Sequence, residues 1–148
     1  MNKEFVLRGQ TASGGTEILN FSGAKPGYAY RLVEFSLFAS TNIAGNLIAL
    51  VGSMTAGNVA VAPTDPNFND KGLIGTAVYN GSSIPNYYVP GGSSVINDTF
   101  LITQDLILMV QDQSGGDPIN WQCRFVAEKM NNGEEAVANY NQFVIFDN

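Results

Sequence analysis

Hydrophobic and polar residues alternate along this chain in short runs, and clusters of Gly, Pro, Asn and Asp separate the runs. Every second residue from Ile119 to Phe125 is apolar, which is the period of a β-strand with one buried face. The turn sequence SGGDP at residues 114–118 joins this run to an earlier apolar run. We therefore predict a β-hairpin from Leu101 to Met130, with a half-buried second strand.

The first strand of this predicted hairpin is apolar on both faces. Leu106, Leu108 and Val110 share one face, and Ile107 and Met109 share the opposite face. If the first face belongs to the core, the second must be covered by another layer of the chain or by another subunit. Ile107 and Met109 are therefore candidate interface residues.

The run from Tyr28 to Ala39 is also rich in aromatic and β-branched residues on both faces, with Val33, Phe35 and Leu37 on the same side. This pattern predicts a central strand that is covered on both sides. Residues 5–8 and 16–21 flank a Gly-Gly turn and predict a hairpin or an edge pair. Further strands are predicted at residues 73–79, 95–100 and 47–54, the last with a buried helical turn as the alternative.

Two long irregular stretches, residues 55–72 and 80–92, are candidate contact surfaces, and the second contains Tyr87 and Tyr88. Tyrosine is enriched at protein interfaces, so both tyrosines are candidate interface residues. Residues 131–142 begin with possible Asn caps and two glutamates, which predicts one short helix. The final apolar run is a strand or an apolar tail, and it adds the candidate interface residues Phe143, Ile145 and Phe146.

The patterns together predict an all-β fold: a single domain over residues 1–148, an antiparallel β-sandwich of jelly-roll-like type with one short C-terminal helix. At 148 residues the chain can bury a substantial core without disulfides. Only 14% of its residues are charged, so Asn, Ser, Thr, Gln and Gly must cover much of its surface. Such a surface is common in subunits that bury their outside in an assembly.

The net charge of −6 arises in the second half of the chain. Residues 1–74 contain five basic and five acidic side chains, whereas residues 75–148 contain two basic and eight acidic ones. Binding to nucleic acid phosphates needs clustered Lys and Arg, and the seven basic residues here are scattered singly. We therefore expect no direct contact with DNA or RNA.

No candidate catalytic constellation emerges from the sequence. There is no histidine to act as a base near neutral pH, and Cys123 alternates with Trp121 and Phe125 as an inert core thiol would. Four aspartates border predicted turns, where Asp commonly accepts hydrogen bonds from local backbone. We expect no enzyme activity, no cofactor and no metal site. These four residues are Asp98, Asp105, Asp112 and Asp117.

The loop from Asp65 to Asp70 offers oxygen ligands of the kind that Ca²⁺ prefers, but it lacks the spacing of an EF-hand loop. The sequence of this loop is compatible with two alternatives, a calcium site or an Asx-rich turn. The N-terminus has no long apolar segment, so we expect no signal peptide and synthesis in the cytosol. The apolar run Leu106 to Val110 is far shorter than the roughly 20 residues that span a bilayer.

Three segments of the chain resemble a known group of proteins. These are LRGQ…GGTEIL between Leu7 and Leu19, GYAYRLVEF from Gly27 to Phe35, and QDLIL…INWQCRFVAEK followed by EEAVA. In this arrangement the chain resembles small virion proteins of marine bacteriophages, of the capsid decoration (cement) or minor capsid type.

The resemblance implies a β-sandwich or jelly-roll module on the capsid surface that binds the major capsid protein, self-associates as a trimer or similar oligomer, with the trimer favoured, and stabilises the shell. It implies no catalytic residues. The alternative from the residues is a carbohydrate-binding or receptor-binding module of a phage tail or lectin-like protein. That alternative requires Tyr87, Tyr88 or Trp121 to be exposed beside Asp or Asn in one groove.

Overall fold

The computed structural model describes residues 3–21, 27–40, 48–57, 60–81, 91–113 and 115–130. Within these residues the chain forms strands and no helix, which confirms the predicted all-β class. The predicted helix at 131–142 and the tail from Phe143 to Phe146 lie outside the described residues. The strands are β1 (Lys3–Thr11), β2 (Thr16–Leu19), β3 (Tyr28–Ala39), β4 (Ile48–Thr55), β5 (Leu73–Gly81), β6 (Gly91–Ile96), β7 (Leu106–Asp112) and β8 (Ile119–Lys129).

The strands form two antiparallel sheets that pack as a sandwich. The three-stranded sheet has the order β1-β8-β3, and the five-stranded sheet has the order β2-β7-β4-β5-β6. In a jelly roll, eight strands form nested antiparallel pairs: first with last, second with seventh, third with sixth and fourth with fifth. Three of these pairs are ladders here, whereas β6 pairs with β5 and only packs near β3. The predicted jelly-roll-like sandwich is present, except that β3 and β6 form no ladder with each other.

The predicted hairpin from Leu101 to Met130 is wrong, because β7 and β8 belong to different sheets. The turn between them carries the chain across the sandwich. Asp112 shapes this turn by accepting hydrogen bonds from the backbone N–H groups of Gly115 and Asp117, at 3.3 and 3.0 Å. The proposed pairing of residues 5–8 with 16–21 is wrong for the same reason, since β1 and β2 also lie in opposite sheets.

The core lies between the sheets, and the rows predicted to face it do so. Leu106, Leu108 and Val110 of β7 are fully buried. On β8 the alternation is equally clean: Ile119, Trp121, Cys123 and Phe125 are buried, whereas the residues between them are partly exposed. The half-buried strand predicted at residues 119–125 is confirmed.

The indole of Trp121 has a polar partner inside the core. Its Nε1–H donates to Thr11 Oγ1 at 2.9 Å, and the Thr11 hydroxyl donates in turn to Glu17 Oε1 at 3.1 Å. Thr11 is buried although it is polar, and these two bonds satisfy its hydroxyl. These hydrogen bonds connect β8, through the last residue of β1, to Glu17 of β2, and so link the two sheets at one end.

The prediction of β3 as a central strand is wrong, because β3 is an edge strand of the three-stranded sheet. Its mixed pattern has another cause. The register shifts between Leu32, which is opposite Phe125, and Glu34, which is opposite Arg124, so Val33 has no cross-strand partner. This β-bulge lets both Leu32 and Phe35 reach the core, although they would face opposite sides of a regular strand.

Strand β4 (Ile48–Thr55) confirms the strand predicted at residues 47–54, and the helical alternative is wrong. The strand predicted at 95–100 is misplaced, because β6 ends at Ile96. Asn97 ends it by accepting hydrogen bonds at Oδ1 from the backbone N–H and the hydroxyl of Thr99, at 3.3 and 2.8 Å. Such an Asx turn replaces the ladder with a local bond.

Candidate interaction surfaces

A row of apolar side chains crosses the outer face of the five-stranded sheet near its β2 edge. It consists of Ile18, Ile107 and Met109, and we call it the Ile18 row. Ile18 lies directly opposite Ile107 in the β2–β7 ladder, and Met109 lies opposite Thr16. Ile107 and Met109 are partly exposed, and Ile18 is 69% exposed. The two residues predicted from the β7 pattern therefore share a surface with an isoleucine that is largely open to solvent.

The chain itself covers one side of the Ile18 row. On β4, Thr55 and Ser53 lie opposite Ile107 and Met109 and are buried, although they belong to the outer face. Residues after β4 fold back over them: the Ser53 hydroxyl donates to the carbonyl of Val61, and the Val61 N–H donates to Thr55 Oγ1 at 3.2 Å. This segment covers the β4 side of the row, whereas the β2 side remains exposed.

A second surface lies at the opposite edge of the same sheet, where β6 ends. Phe68 and Val95 are 68% and 57% exposed there. Together with Leu73 and Ile96 they line a shallow groove of about 270 Å³. Asp70 and Lys71 also border this groove, so it has apolar walls with a charged rim.

The outer face of the three-stranded sheet is mainly polar. Arg124 of β8 lies between Glu34 of β3 and Glu4 of β1, with nitrogen–oxygen distances of 3.1 and 3.8 Å. These side chains are substantially exposed, so each ion pair contributes little to stability. Further along the same face, Phe38 lies opposite Asn120 and is 47% exposed.

Phe38 takes part in a second shallow groove. Its ring centroid lies 5.0 Å from that of Tyr79 on β5. On the outer face it shares a groove of about 210 Å³ with Arg8, Asn120 and Gln122. Trp121 also lines this groove, but its side chain is buried and its Nε1–H donates a hydrogen bond to Thr11. The exposed aromatic ring here is therefore that of Phe38.

The residues considered for catalysis have structural contacts, and Asp112 and Asp117 lie in the same turn. Asp112 binds the turn between β7 and β8, and Asp105 Oδ1 accepts a hydrogen bond from the backbone N–H of Phe21 at 2.7 Å. Cys123 is fully buried, and the loss of solvation raises the pKa of its thiol to about 12. A thiol with so high a pKa remains protonated and is a poor nucleophile at neutral pH.

The loop from Asp65 to Asp70 contains two Asx turns. Asn67 Oδ1 accepts from the N–H of Asn69 at 3.0 Å, and Asp70 Oδ1 accepts from the N–H of Gly72 at 2.9 Å. Two of the proposed calcium ligands thus accept local backbone hydrogen bonds. In the described parts of the chain, no three acidic, His or Cys side chains are grouped so that they could hold a metal ion.

Five of the predicted interface residues lie outside the described residues: Tyr87, Tyr88, Phe143, Ile145 and Phe146. The remaining two, Ile107 and Met109, lie together on the outer face of β7. Sequence reasoning missed Ile18, since its neighbours depend on the pairing of β2 with β7, which no local pattern reveals. It also missed Phe68, although an aromatic residue within the polar sequence TDPNFND is a recognisable sign of an exposed apolar side chain.

No family model matches the chain, and no curated protein matches it significantly. Across the described residues, no helix has the length and hydropathy that crossing a bilayer requires.

Proposed function

We propose that this chain is a structural virion protein that binds the capsid lattice, associates with itself and stabilises the shell. The observation that carries the proposal is the Ile18 row. Ile18 is 69% exposed beside the half-buried Ile107, and burial of such side chains contributes about 25 cal/mol for each Å² removed from water. A second protein surface seated on the β2 edge would complete the cover that the chain itself provides on the β4 side.

The composition supports the same proposal. Few of the residues are charged, so a partner that covers this surface displaces few strongly hydrated groups. In this proposal the partner is the major capsid protein, and the protein binds to the outer surface of the shell. Stabilisation follows from mass action, because a subunit that binds only the assembled lattice lowers the free energy of that lattice relative to its dissociated parts. No turnover is involved.

In this proposal the Ile18 row is the described part of the contact with the shell. Tyr87, Tyr88 and the tail from Phe143 to Phe146 remain predicted contributors. Contacts of this kind concentrate their energy in a few buried side chains near the centre of the interface. We therefore expect a single charged substitution within the row to weaken binding strongly.

The test is co-sedimentation of the purified protein with bacteriophage shells that lack it. Ile18→Lys is the test variant, since it places a charge at the exposed β2 end of the row without touching the core. We expect its apparent dissociation constant to rise at least about tenfold, which corresponds to about 1.4 kcal/mol. Immunogold labelling of intact particles should place the wild-type protein on the outer capsid surface.

Val6→Lys is the matched control. Val6 is also a branched aliphatic residue on an edge strand, and it is 47% exposed, but it lies on the outer face of the other sheet. The control should bind shells as the wild type does. Equal binding by Ile18→Lys and the wild type would contradict the assignment of the row, and a wild type that binds no shells would contradict the function.

A carbohydrate-binding or receptor-binding module is the second candidate, and the groove beside Phe38 favours it. An exposed ring next to Asn120, Gln122 and Arg8 combines a stacking surface with hydrogen-bonding groups. A glycan array tests this alternative: specific binding that Phe38→Ala abolishes and Val6→Lys retains would support it over the capsid proposal.

A further inference from the structure

The outer face of the three-stranded sheet is arranged in rows of three side chains, one from each strand. Two neighbouring rows surround the groove of about 210 Å³ described above, and all of their members except Gln10 line it. In register across β1, β8 and β3, these rows are Arg8, Gln122, Ser36 and Gln10, Asn120, Phe38. The groove therefore combines a cation, amides, a hydroxyl and an aromatic ring on one face.

Arg8 supplies a positive charge that no carboxylate of the described residues balances. Among those residues Arg31 and Arg124 form ion pairs, and Arg8, which is exposed, forms none. In the next row along the same face, the charge of Arg124 is offset by Glu34 and Glu4. A guanidinium presents N–H donors in a fork that matches a carboxylate, so the groove has a site for one anionic group.

The amide groups of the groove are suited to hydroxyl ligands. Asn120 Oδ1 accepts a hydrogen bond from Gln10 Nε2 at 3.0 Å, and Asn120 Nδ2 donates to the carbonyl of Ala39 at 3.3 Å. These two bonds orient the Asn120 amide, which has a second N–H donor. Gln122 and Ser36 lie opposite each other in the neighbouring row and add donors and acceptors.

Phe38 supplies the apolar surface of the groove. Its ring is 47% exposed, and Tyr79 packs against it from the other sheet, with centroids 5.0 Å apart and ring planes at 52°. The groove lies on the β8 side of Phe38, away from Tyr79. Tyr79 therefore supports the ring from one side and leaves it accessible from the groove, where the apolar C–H face of a sugar ring can pack against it.

We propose that this groove binds an acidic saccharide, with a sugar ring against Phe38 and the carboxylate against Arg8. This names the ligand class of the second candidate function and rests on it. Charge selects the ligand, because a neutral sugar leaves the Arg8 guanidinium without a partner. Arg8 and Phe38 are two strands apart and offset by two residues, so their Cα atoms are about 12 Å apart, a span that one or two sugar rings bridge.

The size of the groove limits the affinity. Pockets for drug-sized ligands have volumes of about 300–1,000 Å³, and this groove is smaller and shallow. We expect a Kd on the order of 1 mM for a disaccharide.

A matched pair of ligands tests the proposal: digalacturonic acid and its dimethyl ester, which differ in charge and share the same rings. Titration of the full chain at low salt, followed by NMR chemical shifts, should give a Kd about fivefold lower for the acid than for the ester. N-acetylglutamate, which has carboxylates and no sugar ring, should bind more weakly than either. Equal binding of acid and ester, or tighter binding of N-acetylglutamate, would overturn the proposal.

Three variants locate the two contacts. Arg8→Gln should bind the acid as weakly as the ester, and so lose the preference for charge, whereas Phe38→Leu should weaken binding of both ligands about fivefold. Arg124→Gln is the matched control, because it removes the same charge from the same face at a guanidinium already paired with carboxylates, and it should keep the preference. All three positions lie on the outer face, and urea unfolding should show that each variant is folded.

A preference for the acid that persists in Arg8→Gln would overturn the proposal. Equal binding of both ligands that Phe38→Leu weakens would overturn the acidic ligand and still support a carbohydrate-binding module. Binding of neither ligand would also overturn the acidic ligand, and the glycan array then decides the fate of the module separately. Shells are absent from these titrations, so no result here affects the test of the capsid proposal.

Discussion

At the scale of single residues, Cys123 and Trp121 show how burial decides chemistry. Both belong to the inward row of β8 and lie among apolar neighbours. Trp121 has a donor that must be satisfied, and Thr11 accepts its hydrogen bond. Cys123 has no comparable requirement, so burial acts on its ionisation instead and keeps the thiol neutral.

The raised pKa of Cys123 predicts a loss of stability at alkaline pH. The buried thiol keeps its proton up to about pH 12, whereas an unfolded chain loses it near 9.0. Below 9.0 the contribution to stability is complete. Above it the unfolded state binds fewer protons, so the free energy of unfolding should fall by about 1.4 kcal/mol per pH unit.

Urea unfolding of the wild type and of Cys123→Ala, from about pH 8 to about pH 10.5, measures this effect. The variant should be less stable at the lower pH, because it leaves a small cavity, and the difference should shrink as pH rises. Other titrating groups are common to both proteins and cancel in the comparison. Parallel stability curves for the two proteins would contradict the prediction.

At the scale of elements, strand β3 shows the limit of reading faces from alternation. The sequence placed Val33 with Phe35 and Leu37 and assigned Leu32 to the opposite face. The bulge instead places Leu32 and Phe35 on the same inward side. One unpaired residue is enough to invert the faces, since the side-chain period of a strand is two.

The bulge predicts an unequal response to deletion of single residues. Removing Val33 leaves Leu32 inward, Glu34 outward and Phe35 inward, a regular alternation, so we expect a folded protein destabilised by about 1–3 kcal/mol. Removing Ser36 breaks the alternation and turns either Phe35 or Leu37 out of the core. That deletion should abolish cooperative unfolding.

Soluble expression and urea unfolding of the two deletion variants provide the measurement. The two sites are three residues apart on the same strand, so each variant is the control for the other. If both deletions unfold the protein, or if deletion of Ser36 is the milder change, the account of the bulge is wrong.

At the scale of the whole molecule, the two sheets have outer faces of different character. The five-stranded sheet carries the exposed apolar Ile18 row beside its β2 edge, whereas the outer face of the three-stranded sheet is mainly polar, with Arg124 between Glu34 and Glu4. The proposed contact with the shell therefore lies on the five-stranded sheet.

This difference predicts unequal effects of a charge on the two outer faces. Ile18→Lys should weaken the apparent affinity for shells at least about tenfold, whereas Val6→Lys should leave it unchanged. Titrated co-sedimentation measures both, and equal binding by the two variants would contradict the assignment of the contact to the Ile18 row.

The sequence by itself determined the all-β class and the inward rows of β7 and β8, including the buried Cys123. It also identified Ile107 and Met109 as an apolar outer face. A period of two reports which side chains point inward, and this holds wherever the strand is placed.

Only the tertiary structure decided which sheet each strand joins. The inward rows of β7 and β8 face the same core from opposite sides, so the pattern of a hairpin and that of a sheet-to-sheet crossing are identical along the sequence. The pairing of β2 with β7, which places Ile18 beside Ile107, joins residues distant along the chain. Local alternation carries no information on such partners, because they are selected by the packing of the whole sandwich.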